Sequence, residues 1–130
     1  MMRQAAGILI ICRQSGRLFL LRRSNEGKHP LVWSLLSGEM DPGDKDAHAT
    51  LEREIGEEIQ IPANIIKMRY VYTEKSKVLH FHYFIGFVDS EFTPTLDHEN
   101  VDSGWFEHDD LPTPLFPGLY DKIQHIWKQI

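Results

Sequence analysis

Hydrophobic residues lie along the chain in short runs that polar or glycine-containing segments separate. Runs of this length between turn-forming residues are typical of β-strands. Gln14-Ser15-Gly16 predicts a turn that joins the first two runs into a hairpin. The predicted strands are residues 5–12, 18–21, 33–36, 68–73, 78–88 and 104–107.

Two further segments repeat their apolar residues at helical spacing. In residues 46–60, Leu51, Ile55 and Ile59 recur every four positions, and Pro62 ends the pattern. Near the C-terminus, after Pro117-Gly118, the apolar set is Leu119, Ile123, Ile126, Trp127 and Ile130. Strands interleaved with two amphipathic helices predict an α/β fold in which helices cover a mixed β-sheet.

The composition is that of an ordinary folded domain. The chain has 130 residues, of which 42% are hydrophobic and 25% are charged, and we expect one domain over residues 1–130. The formal net charge of −5 disfavours binding to long nucleic acids or to a membrane surface. It also means that an anionic ligand needs cations placed locally in its site.

The cysteine content and the N-terminal sequence indicate the cellular compartment in which the protein is expected. Cys12 is the one cysteine, so no internal disulfide can form, which is typical of a reducing environment. The apolar residues 5–12 are too few to cross a bilayer, and the residues before them do not resemble a signal peptide. We therefore expect a cytoplasmic protein that does not enter a membrane.

Three carboxylates beside the apolar face of the first helix are the main chemical feature. Glu54, Glu57 and Glu58 span an arc of roughly 100°. Like charges this close repel each other, and a divalent cation with oxygen ligands would relieve the repulsion. Glutamates on a helix are more often simply solvated. Glu58, however, borders the stripe of Leu51 and Ile55, so we expect it to be partly buried, where a bare carboxylate is costly.

A glycine-punctuated loop precedes this helix. Gly38 and Gly43 permit a positive φ or a close backbone approach, and Pro42-Gly43 predicts a turn. Asp44 or Asp46 can cap the first helical turn. The predicted order is therefore strand, glycine loop and acidic helix.

This loop and helix together resemble the Nudix box of the MutT-like diphosphate hydrolases. Hydrophobic runs on either side of the loop resemble the family as well, so that the match extends discontinuously from about residue 5 to residue 106. The matching residues are Gly38, the Pro42-Gly43 turn, Arg53-Glu54, Glu57-Glu58 and, outside the box, Arg22-Arg23 and Trp33-x-Leu35.

The box is a variant of the family pattern. Asp44 stands where the family has a glutamate, and eight residues, instead of the usual seven, separate it from Arg53. Gln60 stands where the family has a glycine. The extra residue is expected at the junction of loop and helix, where changes in length are tolerated best.

The resemblance implies an α/β/α sandwich and a metal-dependent hydrolase that cleaves a diphosphate linkage in a nucleoside diphosphate derivative. It implies Mg²⁺ as the cofactor, with Mn²⁺ as the alternative, and a small-molecule nucleotide as the partner. The implied metal ligands are Gly38 through its carbonyl, Glu54, Glu57 and Glu58. The implied catalytic residues are Arg53, Glu54, Glu57 and Glu99, and the implied substrate-binding residues are Arg22, Arg23 and Gly38.

The roles within this set are only partly fixed. The general base stays open between Glu54 and Glu99, which precedes the predicted strand that contains Trp105. Arg53 is expected to orient a glutamate through its planar fork. Arg22 and Arg23 end a strand near the proposed site, where one of them would bind phosphate.

Histidines and aromatic residues outside the box have structural alternatives. His80 and His82 share one strand face, and without a third soft ligand a polar face that lines the cleft is favoured over a metal site. Tyr70, Tyr72 and Phe84 could stack on a nucleobase, although packing in the core is the default for such residues.

Two other functional interpretations stay open from sequence. The chain could be a non-catalytic nucleotide sensor on the same fold, since fold does not fix function, or a protein-binding module whose acidic helix is a solvated face. The substrate is open among nucleoside triphosphates, dinucleoside polyphosphates, nucleotide sugars and RNA ends. A homodimer is open as well.

Overall fold

The computed structural model, which describes residues 2–130, has the α/β/α sandwich that the resemblance implies. Within these residues a seven-stranded mixed sheet lies between two α-helices. A 3₁₀ turn at Ala63–Ile65 follows the first helix. In chain order the elements are β1 (Arg3–Cys12), β2 (Leu18–Arg23), β3 (Trp33–Ser34), β4 (Leu36–Glu39), α1 (Ala47–Glu58), β5 (Lys67–Lys75), β6 (Leu79–Val88), β7 (Asn100–Phe106) and α2 (Leu119–Trp127).

β1 lies at the centre of the sheet and is buried on both faces. It runs parallel to β6 along its whole length. Because side chains alternate across a strand, Ile8 and Ile10 pack in the core beneath α1, whereas Leu9 and Ile11 pack in the core beneath α2. This double burial explains why the sequence of β1 is a continuous apolar run without polar alternation.

β1 and β2 diverge, and two short strands fill the opening between them. The two strands pair beside the hairpin turn, where Ile10 lies opposite Phe19. Further along, β3 pairs with β2, and β4 pairs with β1. Because β7 occupies the other edge of β2, β3 and β4 must lie in the opening between β1 and β2. The single strand predicted at residues 33–36 is therefore two strands that Leu35 separates.

α1 is shorter than the predicted helix at both ends. Asp46 is the N-cap, and its carboxylate accepts a hydrogen bond of 2.8 Å from the Ala49 N–H. Beyond the C-cap Ile59, Gln60 has a φ of 53°, a left-handed conformation that costs a residue with a side chain about 1–2 kcal/mol. This is the position where the family pattern has glycine. Gln60 Nε2 donates to the Thr95 carbonyl at 3.2 Å.

The C-terminal part of the chain also differs in its boundaries from the prediction. β7 begins at Asn100 rather than at residue 104, because its first residues pair with the end of β2. α2 buries Leu119, Ile123 and Ile126 and ends at Trp127, so that Ile130 is 54% exposed beyond it. Among residues 2–130 no helix is long and apolar enough to cross a membrane, and the cytoplasmic location stays a prediction.

We predict that Ile55→Ala lowers the free energy of unfolding by about 2–5 kcal/mol, because Ile55 is fully buried between α1 and the sheet. Urea denaturation of the two proteins measures the difference. Ile65→Ala is the matched control, since Ile65 is 48% exposed, and it should cost less than about 1 kcal/mol. Equal losses in the two variants would contradict the packing of α1 described above.

Candidate active site

Glu54 lies against the backbone of β4. A side chain at Gly38 would overlap the Glu54 carboxylate, because even a Cβ atom there would be in steric conflict with its carbon and oxygen atoms. Gly38 pairs with Ala6 of β1, so its backbone cannot easily move aside. The glycine therefore allows α1 to bring Glu54 directly onto the sheet.

Glu58 is a buried carboxylate at the last turn of α1. Its residue is 6% exposed, and its Oε1 accepts a hydrogen bond of 3.1 Å from Asn100 Nδ2. Its Oε2 is buried and has no hydrogen-bond partner. Burial, followed by the neighbouring Glu54 carboxylate, raises the pKa of Glu58 to about 9.

Glu99 joins these two glutamates from a distant part of the chain. The loop before β7 is hydrogen-bonded to the end of α1, where the Asp97 N–H donates to the Glu58 carbonyl and the Thr95 N–H to the Ile59 carbonyl, both at 3.3 Å. One carboxylate oxygen from each of Glu54, Glu58 and Glu99 then lies within 4.8 Å of the other two. Partial burial, Asp97 and Glu54 raise the pKa of Glu99 above its ordinary value.

This cluster fits a hard divalent cation. Three carboxylate oxygens converge, and one of them belongs to a side chain with a buried oxygen that lacks a partner. Burying such a group without compensation is costly. Oxygen donors of this kind are the ligands that Mg²⁺ and Mn²⁺ take in proteins.

Arg53 holds the acidic residues around it in place. Its Nε and Nη2 donate to the Asp44 carboxylate at 3.2 and 3.0 Å. Its Nη1 donates to Glu54 at 2.8 Å and to Glu57 at 2.9 Å, and its Nη2 also donates to the Glu39 carbonyl at 3.0 Å. A guanidinium has five N–H donors, so these bonds leave Arg53 no free donor for a substrate.

The extra residue in the variant box therefore leaves the ion pair between Arg53 and Asp44 intact. Hydrogen bonds from Arg53 and then from the Asp41 N–H lower the pKa of Asp44 to about 2. The Asp44 carboxylate also accepts a hydrogen bond of 2.9 Å from the Thr50 hydroxyl. Asp44 thus ties the loop to α1 one turn beyond the N-cap.

Glu57 lies beside the cluster rather than within it. Its side chain is 55% exposed and is paired with Arg53. It lines a cavity together with Gly38, Glu54 and Glu99. The structure therefore brings three glutamates together, but they are Glu54, Glu58 and Glu99 in place of the helical triplet that the sequence suggests.

The two candidate phosphate-binding arginines have different surroundings. Arg22 Nε donates to the Leu31 carbonyl at 3.0 Å, and its guanidinium lies 6.0 Å from the centre of the Trp33 ring. Arg23 Nη2 donates to the Lys28 carbonyl at 3.2 Å, whereas its Nε is buried without an acceptor. Arg23 faces the cavities described next, and it is the stronger candidate for binding an anion.

Three adjoining cavities meet at the β1–β2 opening. The acidic cavity, of about 550 Å³, contains Glu54, Glu57 and Glu99. The central cavity, of about 430 Å³, contains Arg23, Glu58 and Glu99. The apolar cavity, of about 340 Å³, lies on the α2 side. The central cavity shares Glu99 with the acidic one and Arg23 with the apolar one, so it connects the two.

Several residues singled out in the sequence lie away from these cavities. His80 and His82 face the α1 side, like Phe84 two residues further, and His82 bonds to Gln4 and Thr73 at 2.7 Å. Neither histidine lines any of the three cavities described above, so the predicted cleft-lining face stays a prediction. Tyr72 stacks on Tyr83 at 4.8 Å. Phe84 is buried and Tyr70 packs edge-on against it.

One residue of the site was not predicted from the sequence. Asn100 is buried and donates to both Glu58 and Asp97, which fixes the loop that carries Glu99. The sequence hints at a role for Asn100 only through its position directly after Glu99. That hint can be used only if Glu99 has already been assigned to the site.

The fold has many solved relatives. The Ap4A hydrolase of C. elegans, in a binary complex, has 20% identity and a TM-score of 0.77, with 98% of this chain and 96% of that chain covered. A MutT NUDIX hydrolase from Burkholderia pseudomallei has 22% identity and a TM-score of 0.72, with 97% and 98% covered. The NUDIX domain of Shewanella oneidensis NrtR, complexed with ADP ribose, has 13% identity and a TM-score of 0.81, with 99% and 88% covered. Because these sequence identities are low, the similarity to the three structures is evidence for a shared fold and not for a shared activity.

The sequence identifies the family, because the match to the family model covers almost the whole chain. The NUDIX domain family model matches residues 1–126, although no curated protein matches the chain significantly. The predicted class, a Nudix pyrophosphohydrolase with an α/β/α sandwich, is confirmed by this match together with the fold. The chain belongs to the NUDIX domain family.

Proposed function

We propose that the chain hydrolyses a diphosphate linkage in a nucleoside diphosphate derivative and that it depends on a divalent metal, Mg²⁺ or Mn²⁺. The observation that carries the proposal is the convergence of Glu54, Glu58 and Glu99 around the buried Glu58 oxygen that lacks a partner. The relatives described above include an Ap4A hydrolase and a NUDIX domain complexed with ADP ribose, and these ligands belong to the proposed substrate class.

Glu54 and Glu58 would hold the metal. When bound, the metal would neutralise phosphate oxygens and lower the pKa of an attacking water. Glu57 and the Gly38 carbonyl, which line the acidic cavity with Glu54, stay predicted ligands. Arg53 positions Glu54 and Glu57 through its hydrogen bonds and does not contact the substrate.

Glu99 is the general base in this proposal. Its carboxylate oxygen lies within 4.8 Å of those of Glu54 and Glu58, where a proton acceptor for the attacking water would be needed. Glu54 is the weaker candidate because its carboxylate accepts a hydrogen bond from the Arg53 guanidinium. Arg23, with a buried N–H that lacks an acceptor, would bind a phosphate oxygen in the central cavity.

The experiment that tests the activity measures phosphate and nucleotide release from a panel of nucleoside triphosphates, nucleotide sugars and dinucleoside polyphosphates. We expect turnover with Mg²⁺ or Mn²⁺ and its loss in EDTA. A folded protein that binds nucleotides without hydrolysing any of them would instead favour the sensor interpretation. Turnover that is unchanged in EDTA would overturn the role of the metal.

We predict that Glu58→Gln removes metal binding and stabilises the metal-free protein. In the folded protein the pKa of Glu58 is about 9, whereas it is about 4.3 in an unfolded chain. At any pH between these two pKa values, Glu58 takes up a proton when the protein folds. The free energy of unfolding of the wild-type protein in EDTA should therefore fall by about 1.4 kcal/mol for each pH unit by which the pH rises within this range. The variant lacks this slope.

Urea denaturation in EDTA at pH 6, 7 and 8 compares the two proteins, and calorimetric titration with Mg²⁺ measures the metal affinity. Glu52→Gln is the matched control, since Glu52 lies on the exposed side of α1 and is paired with His48. We expect it to change neither quantity. A Glu58→Gln protein with lower stability than wild type at pH 8, or with wild-type Mg²⁺ affinity, would contradict the assignment.

We predict that Glu99→Gln lowers kcat by roughly 10²- to 10⁴-fold, the usual contribution of a general base, while Mg²⁺ affinity changes by less than about threefold. The comparison with Glu58→Gln separates the two roles, because that variant should lose both. Should Glu99→Gln weaken Mg²⁺ binding as much as Glu58→Gln does, Glu99 is a metal ligand and Glu54 becomes the candidate base.

A further inference from the structure

Gln60 departs from the family pattern at a position that favours glycine. It follows Ile59, the C-cap of α1, and its φ of 53° is a conformation that glycine adopts without a steric penalty. A residue with a side chain is strained there, and such strain persists where the surrounding contacts enforce it. The contacts of the Gln60 side chain therefore bear on why a glutamine occupies this position.

The Gln60 side chain makes a hydrogen bond that glycine could not make. The backbone N–H of Gln60 donates to the Ile55 carbonyl at 3.0 Å and so completes the end of α1. The side-chain Nε2 donates to the Thr95 carbonyl at 3.2 Å, and Thr95 in turn donates its N–H to the Ile59 carbonyl at 3.3 Å. Both backbone groups of Thr95 are therefore bonded to the end of α1, and its carbonyl is bonded through the side chain of Gln60.

The loop of residues 91–99 depends on such contacts for its position. Residues 91–97 have no regular secondary structure, so neither a helix nor a strand ladder fixes their backbone. The Asp97 N–H donates to the Glu58 carbonyl at 3.3 Å, and the partly buried Leu96 packs against the core beneath α1. The end of α1 therefore fixes the course of the 91–99 loop.

The 91–99 loop brings Glu99 to the carboxylate cluster. The Glu99 N–H donates to the Asp97 carboxylate at 3.1 Å, and the Glu99 carbonyl accepts a hydrogen bond of 2.9 Å from the Ser24 N–H. Because Asp97 is itself bonded to α1, a shift of residues 95–97 would move the Glu99 backbone as well. A displacement of about 1 Å at a reacting group can lower a rate roughly 100-fold.

We propose that Gln60 is a positioning residue, whose side-chain amide holds Thr95 against the end of α1 and thereby keeps the Glu99 carboxylate within reach of the attacking water. This inference rests on the proposed function, in which Glu99 is the general base. Gln60 lies outside the three cavities described above, so it acts through Thr95 and Asp97 and not on the substrate. The side chain that strains the end of α1 is thus the one that orders the loop of the base.

Gln60→Gly and Gln60→Met test the proposal together, because both remove the amide donor and only glycine also removes the strain. Gln60 is exposed, so both variants should fold. We expect kcat on the best substrate of the panel to fall roughly 10-fold in both, with KM and the calorimetric Mg²⁺ affinity within about twofold of wild type. The urea midpoint should be higher for Gln60→Gly than for Gln60→Met. Activity would then follow the amide, whereas stability would follow the backbone conformation.

Amide hydrogen exchange, followed by NMR, measures the loop without a substrate. The protection of the Thr95, Asp97 and Glu99 amides should fall roughly 2- to 12-fold in both variants, which is the net contribution of one hydrogen bond expressed as a ratio. Gln124→Met is the matched control, since Gln124 Nε2 donates to the His108 carbonyl at 2.7 Å and so joins a helix to a loop elsewhere. It should leave kcat and the protection of these three amides unchanged.

Two results would overturn the inference. Wild-type protection of the three amides in both Gln60 variants would show that the 91–99 loop does not depend on the Gln60 side chain. Faster exchange combined with wild-type kcat in either variant would show that the loop moves without consequence for the reaction. Either result is compatible with metal-dependent turnover by the wild-type protein, whereas absence of turnover on the whole panel is the failure of the proposed function itself.

Discussion

The buried carboxylate of Glu58 is the constraint on which the site depends. Its position at the last turn of α1 follows from the apolar stripe of Leu51, Ile55 and Ile59, which anchors the helix to the sheet. The same stripe forces Glu58 out of water, and one of its oxygens has no partner. Metal-free protein must therefore protonate this group, at a cost in stability. A bound cation would remove that cost, so under the proposed function the residue that destabilises the metal-free protein would also favour metal binding.

The cavities exist because β1 and β2 diverge. β3 and β4 are short and fill this opening only in part. Arg23, the last residue of β2, therefore lies at the opening, between the two faces of the sheet. Two glycines allow side chains to approach the sheet closely on its two faces. Gly38 lets Glu54 approach the sheet on the α1 side, and Gly7 lets the Phe81 ring approach it on the α2 side. The carboxylate cluster and the apolar cavity thus lie on opposite sides of one sheet.

The sequence predicted local features well and tertiary ones poorly. Apolar periodicity located α1, α2 and the long strands, because each buries a regular face. The pairing of Glu54 with Glu58 followed from the same helical geometry. Glu57 was grouped with them because helical spacing cannot show that its neighbour Arg53 draws it outwards. Asn100 and the approach of Glu99 depend on hydrogen bonds from residues 95 and 97 to the end of α1, and no local pattern encodes such contacts.

The two main departures from the Nudix box offset each other. An aspartate is one methylene shorter than a glutamate, so at an unchanged loop length its carboxylate would reach less far towards Arg53. One additional residue between Asp44 and Arg53 lengthens the loop, and the ion pair closes at 3.0 Å. Arg53 can then use all five N–H donors on fixed acceptors, which a lysine with three donors cannot do. In this box an aspartate and a longer loop thus supply the partner that lets Arg53 orient Glu54.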